Sequence, residues 1–276
     1  TIELRDASLS IPAGAGEHDL PADQRYLHFE GVNGSFVITA NAILADFTGV
    51  FHGSECRVSA RIHGDLRHVA TLDDVDVDAD LSITRLDLPR ADSQAPLEQQ
   101  RFVKHWPQLV HFFEDYDPHG PIDIDLNVAK RAGANASLVV RRALLTARGG
   151  DASCRYFPYR GDQLTGAVEF TPDGVHVRDV CGRHGTARVC VNVWMEAPTR
   201  TAAARVDISA TNVPLDDTLH AGLQPQYRRL IDPFTPAGLV SAVVEMRRPT
   251  STDDDMAPWK TTARVTFDDL SAKYDR

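Results

Sequence analysis

The sequence predicts an all-β fold: an elongated, repetitive antiparallel sheet curled into a groove, with one short crossover helix per repeat. Three observations predict it. The chain repeats itself in order, apolar and polar residues alternate over most of its length, and short turn signals separate the alternating segments.

The repeat decides the architecture. Val32-Asn-Gly34 matches Leu164-Thr-Gly166, and His52-Gly53 matches His184-Gly185, both at an offset of 132. Leu81–Pro89 resembles Val206–Pro214 at an offset of 125, and Pro118-His-Gly120 matches Pro236-Ala-Gly238 at 118. The offset falls steadily, as two short loop deletions would produce. The opening segment Ile2–Ile11 recurs as Leu138–Ala147, and Val265–Ala272 begins the pattern again. The expected organisation is therefore a first unit over 1–136, a second over 137–262 and the start of a third over 263–276, in a piece of a longer chain. Units of this length must each hold several strands.

Period-two alternation gives each strand one wet and one apolar face. Phe36 and Ile38 match Val168 and Phe170 of the second unit, and Ile43 and Ala45 match Val175 and Val177. In the second unit Val168 and Phe170 flank Glu169, and Val175 and Val177 flank His176. Val189, Val191 and Val193 alternate with Arg188, Cys190 and Asn192, and Val206 and Ile208 with Arg205 and Asp207. These thirteen apolar residues are the candidates for lining a shared groove. Thr171-Pro-Asp-Gly174 reads as a hairpin turn in which Pro presets φ and Gly takes the left-handed place. One element per unit has helical spacing. Leu97–Tyr116 places Phe102, Trp106, Leu109 and Phe113 on one face, and Leu215–Ile231 does the same with Leu219, Leu223, Tyr227 and Leu230.

Composition narrows the function. A net charge of -10 without a basic block argues against nucleic acid as a partner. No apolar run approaches the length of a membrane helix. The four cysteines, Cys56, Cys154, Cys181 and Cys190, have no staple spacing, and all four read as small buried hydrophobes. Cys181 and Cys190 flank a turn placed at Gly182–Gly185, which leaves Cys190 too far along to face Cys181, so no disulfide is expected there.

Motifs for chemistry are missing. The sequence holds no nucleophile elbow, phosphate loop, dinucleotide fingerprint or His-Glu-x-x-His, so no catalytic residue is assigned. Cys181-Gly-Arg-His184 lacks the second pair that zinc requires, and a turn role is preferred for His184. Asp74, Asp76, Asp78 and Asp80 would open a calcium loop only with Gly and Glu where Ala79 and Arg85 stand, so they read as a solvated strand face. Glu114–Asp115 and Asp216–Asp217 read as helix-end caps. No cofactor or metal is expected.

Phe157-Pro-Tyr159, Leu164–Phe170, the Asp173-Gly174 turn, Val175-His-Val177 and Gly182 resemble the repeats of AsmA-like envelope proteins, the AsmA and TamB group. Thr211–Leu215 through Pro236-Ala-Gly238 is similar to the linker between those repeats. The first copy departs, with Tyr26-Leu-His-Phe29 in place of Phe-Pro-Tyr and Ala40-Asn-Ala42 in place of Pro-Asp-Gly. The resemblance implies a periplasmic β-groove, taco-like in section, anchored at the inner membrane by a segment outside this stretch. It implies phospholipid acyl chains and envelope membrane proteins as partners, and a role in phospholipid passage or outer-membrane maintenance. Burying a methylene is worth about 0.8 kcal/mol, so an apolar trough lowers the barrier to moving an acyl chain through water. The competing expectations are a structural or adhesive β-repeat stalk with a closed core, and a carbohydrate-active β-helix enzyme.

Overall fold

The computed structural model describes residues 1–12, 26–67, 74–88, 115–133, 139–154, 157–197, 199, 201–223, 228, 236–251 and 257–272. Within them the alternating segments form fourteen strands: β1 (Ile2–Pro12), β2 (Tyr26–Ile38), β3 (Ala42–Phe51), β4 (Ser54–His63), β5 (Asp76–Leu88), β6 (Gly120–Lys130), β7 (Val139–Arg148), β8 (Ala152–Cys154), β9 (Phe157–Thr171), β10 (Gly174–His184), β11 (Ala187–Met195), β12 (Ala204–Pro214), β13 (Pro236–Arg248) and β14 (Lys260–Ala272). They make one antiparallel sheet that is not closed. Neighbours follow chain order from β1 to β14, except that the short β8 pairs only with β9. The all-β expectation stands. The chain divides into two compact units, the first containing Thr1–Asp87 and Ile122–Leu145, the second containing Thr146–Arg276.

Helix is scarce. The only helix with full bounds among the described residues is α1 (Asp217–Gly222), inside the predicted span Leu215–Ile231. Asp216 is its N-cap, its carboxylate accepting from Leu219 N at 2.8 Å, as the paired acids suggested. Of the other predicted helix, Leu97–Tyr116, all but its last two residues lie outside the described residues.

The strands bend at bulges that hold non-glycine residues at positive φ. In β1 the extra residue is Asp6, at φ 48°, and its N–H donates to Asn33 Oδ1 on β2 at 3.1 Å. In β10 it is Asp179, at φ 49°, donating to Asn192 Oδ1 on β11 at 2.8 Å. In both, an asparagine opposite the bulge satisfies the N–H that the ladder leaves over. Arg85 on β5, at φ 55°, uses Asp123 Oδ1 on β6 in the same way at 2.8 Å.

Two glycines have matching surroundings. A Cβ on Gly34 would stand 2.2 Å from Asp46 O and 2.6 Å from Phe47 Cα; on Gly166 it would stand 2.3 Å from Asp179 O and 2.7 Å from Val180 Cα. Each lets its strand press onto the next. Gly53 and Gly185 match less closely. His52 and Gly53, at φ 49° and 78°, form the two-residue loop between Phe51 and Ser54. The second loop falls one place later, at Gly185–Thr186, with His184 paired to Ala187.

The cysteine expectation, which placed the turn at Gly182–Gly185, is overturned by this later loop. Counting back from a loop at Gly185–Thr186, Cys181 stands directly opposite Cys190, and the two form a disulfide. Gly174 also differs from expectation. It is not left-handed but begins β10 opposite Thr171, and a side chain there would meet Met195 O at 2.2 Å. The loop is Pro172–Asp173.

Gly166→Ala is expected to destabilise the protein by more than about 2 kcal/mol in urea unfolding, since the methyl meets backbone. Gly53→Ala, with open space around it, should cost only the left-handed strain of about 1–2 kcal/mol. The bond between Cys181 and Cys190, with a sequence separation of 9, closes a short loop. Replacing both with serine should lower stability by at most about 3 kcal/mol and leave the circular dichroism spectrum unchanged.

Candidate functional site on the apolar sheet faces

Residues directly opposite across antiparallel strands point to the same side, so register assigns each face. In the first unit Phe36, Ala45, Ala60 and Ala79 form one row across β2–β5. Ile38, Ile43, Ile62 and Val77 form the row on one side of it, and Gly34, Phe47, Val58 and Leu81 the row on the other. The alanines lie between two ridges of larger side chains. The reverse face carries Ser35, Asp46, Ser59 and Asp80 in a single row.

The second unit repeats the arrangement. Phe170, Val175, Met195 and Ala204 make one row across β9–β12; Val168, Val177, Val193, Val206 and Met246 make the next, reaching β13. Beyond the Asp179 bulge the rows continue as Val180, Val191, Ile208 and Val244, then Gly182, Val189, Ala210 and Ala242. Without the bulge that absorbs the extra residue at Asp179, β10 would turn its far half inside out.

The structure thus brings Phe36, Ile38, Ile43 and Ala45 onto one face of the first unit. It brings Val168, Phe170, Val175, Val177, Val189, Val191, Val193, Val206 and Ile208 onto one face of the second. The expected lining omitted, among others, Ala60, Ile62, Val77, Ala79, Met195 and Met246, which stand in the same rows. Their alternation was visible, but only register places them beside the others.

These faces are buried near the hairpin loops, and also at Val75, Ile122, Ile124 and Leu126 in the first unit and at Ala204 in the second, and are half-open elsewhere. Near the β3–β4 loop, Phe29, Val32, Phe47, Phe51, Cys56 and Ile83 are buried, and the Phe29 ring lies 5.9 Å from Phe47 and 5.3 Å from Phe51. Near the β10–β11 loop, Ala187, Val213 and Val240 are buried, packed against by Ala210, Leu215 and Leu219 of α1. Away from those ends most row residues are half-buried, and Ile38 is 52% exposed. Among the residues expected to line the groove, only Val168 is buried.

The water-facing side handles its charges locally. Asp80 accepts from Asn127 Nδ2 at 2.7 Å, Asp78 pairs with Arg141 at 2.7 Å, and Asp76 accepts from Ala132 N at 2.7 Å. Asp76 and Asp78 also share Arg131, at 3.8 and 3.9 Å. Among the described residues no three metal-ligating side chains come together. Cys181 is in the disulfide, and the His184 ring bonds Arg160 O through Nδ1 at 3.0 Å. Glu169, expected in solvent, is held half-buried by Arg178.

Comparison with known proteins found no matching family model, no matching curated protein and no matching solved structure. No helix among the described residues is long and apolar enough to cross a membrane.

Cys56 lies on the apolar face between Gly49 and Ile83. Burial raises its thiol above the ordinary value of 9.0, with a smaller opposing effect from a backbone hydrogen bond to Gly49. The fold therefore favours the neutral thiol. Its contribution is whole below pH 9.0, the unfolded value, and is lost as pH rises through the higher folded value. Alkaline unfolding monitored by circular dichroism should show this loss, and Cys56→Ala should remove that part of the pH dependence.

Proposed function

We propose that this chain is a segment of an AsmA/TamB-like envelope protein whose apolar sheet faces form a groove for phospholipid acyl chains, in intermembrane lipid transport or outer-membrane maintenance. The observation that carries this reading is the half-open apolar face in each unit. Its rows run across the strands, so an acyl chain lying along them meets side chain after side chain without crossing a polar one. A folded domain normally buries such a surface, and a large apolar patch left open points to a ligand or partner. In the first unit the alanine row sets the floor and the flanking Ile, Val, Phe and Leu rows set the walls. Curling of the sheet, favoured in an open sheet of many strands and sharpened by its bulges, would deepen the trough. The proposed setting is the periplasm.

Two substitutions test the reading. Val177→Asp places a carboxylate against hydrocarbon, at a cost of several kcal/mol if a chain lies there, and Ala60→Phe fills the alanine row. Both variants should fold and should co-purify with markedly less phospholipid than the original chain, measured by mass spectrometry of extracted lipid. If the original chain carries no lipid and Val177→Asp unfolds it, the face is a closed core and the stalk reading replaces this one.

A further inference from the structure

The water-facing side of the second unit carries a row that the groove does not use. Trp194 on β11 stands opposite Arg205 on β12, Arg205 opposite Arg247 on β13, and Arg247 opposite Lys260 on β14. All four are exposed. Arg264, also exposed, lies on the same face of β14, opposite Val243. Three cations directly facing one another across neighbouring strands repel, and a sheet gains nothing by such a row. Arg205 pairs with Asp207 at 2.9 Å and Arg247 with Glu245 at 3.3 Å, both along their own strands. Exposed pairs of this kind hold little energy, and a guanidinium with five donors keeps others for a second anion.

Apolar surface is interleaved with these charges. Trp194 is 45% exposed and Val243 56%, although they belong to the wet side of the sheet. Cations beside an exposed Trp suit an interface where phosphates lie over hydrocarbon: the indole enters the headgroup layer while the Arg and Lys ends take the phosphates. The chain as a whole carries a net charge of -10, so any attraction to an anionic surface must come from a local cationic face such as this one.

We infer that the Trp194–Arg205–Arg247–Lys260 row docks on the surface of a bilayer containing anionic phospholipid. This surface lies on the opposite side of the strands from the apolar rows and does not require that the groove carry lipid.

The experiment is co-flotation of the full chain with vesicles of phosphatidylcholine, with and without phosphatidylglycerol. Binding is expected to the mixed vesicles only, to weaken as salt rises, and to move tryptophan emission to shorter wavelength. Arg247→Ala/Lys260→Ala should lower vesicle partitioning about thirtyfold, at roughly 1 kcal/mol for each cation near the surface. Trp194→Phe should remove the emission shift. Should the alanine pair fail to fold, Arg247→Gln/Lys260→Gln serves instead. Three results would each overturn the inference: equal binding to both vesicle types, unchanged binding by the folded double variant, or no vesicle binding by a chain that binds soluble polyphosphate. Loss of co-purifying lipid in Val177→Asp with vesicle binding intact would separate this surface from the groove.

Discussion

Register is the constraint on which the rest depends. In a sheet with one apolar and one wet face, a slip of one residue moves every side chain of a strand to the wrong side. Here the risk is multiplied, because β10 carries a bulge that deliberately shifts its phase. Asp179 supplies the extra residue, Asn192 holds its N–H, and Gly166 clears the space on the neighbouring strand. Without that bulge Val180 and Gly182 would no longer share a face with Val175 and Val177. In the first unit the bulge lies on β1, where Asn33 likewise accepts from the Asp6 N–H, while Gly34 clears space toward β3 instead.

The two faces of the sheet meet different physical demands. On the wet side, charges are settled by neighbours one or two strands away, as the Asp76, Asp78 and Asp80 contacts illustrate. On the apolar side the strand ends near the hairpin loops are filled by aromatic rings in the first unit and by leucines around α1 in the second. Val75, Ile122, Ile124 and Leu126 in the first unit and Ala204 in the second are buried as well, and the rows between are half-open.

The fold class was legible because alternation is a property of the backbone pleat, and the apolar runs around Val189–Val193 and Val206–Ile208 admit few other readings. Matching glycines were legible too, since Gly34 and Gly166 sit in the same local surroundings. The candidate lining was legible by strand but incomplete. Ala60 and Ala79 carry no signal of their own, and only their pairing with Ala45 gives them meaning. Cys181 and Cys190 were misread because the loop was placed too early, and a hairpin's pairing depends entirely on where its loop falls.

The residues alone therefore determined strand content, the alternation of faces and the absence of familiar catalytic motifs, all of which follow from local chemistry. Tertiary structure decided which side chains stand opposite one another. Bulge positions, loop placement and the disulfide are long-range matters, each fixed by a hydrogen bond or a close approach between strands. Arg205, Arg247 and Lys260 are far apart in the chain and unremarkable there; pairing across β12, β13 and β14 makes them a row.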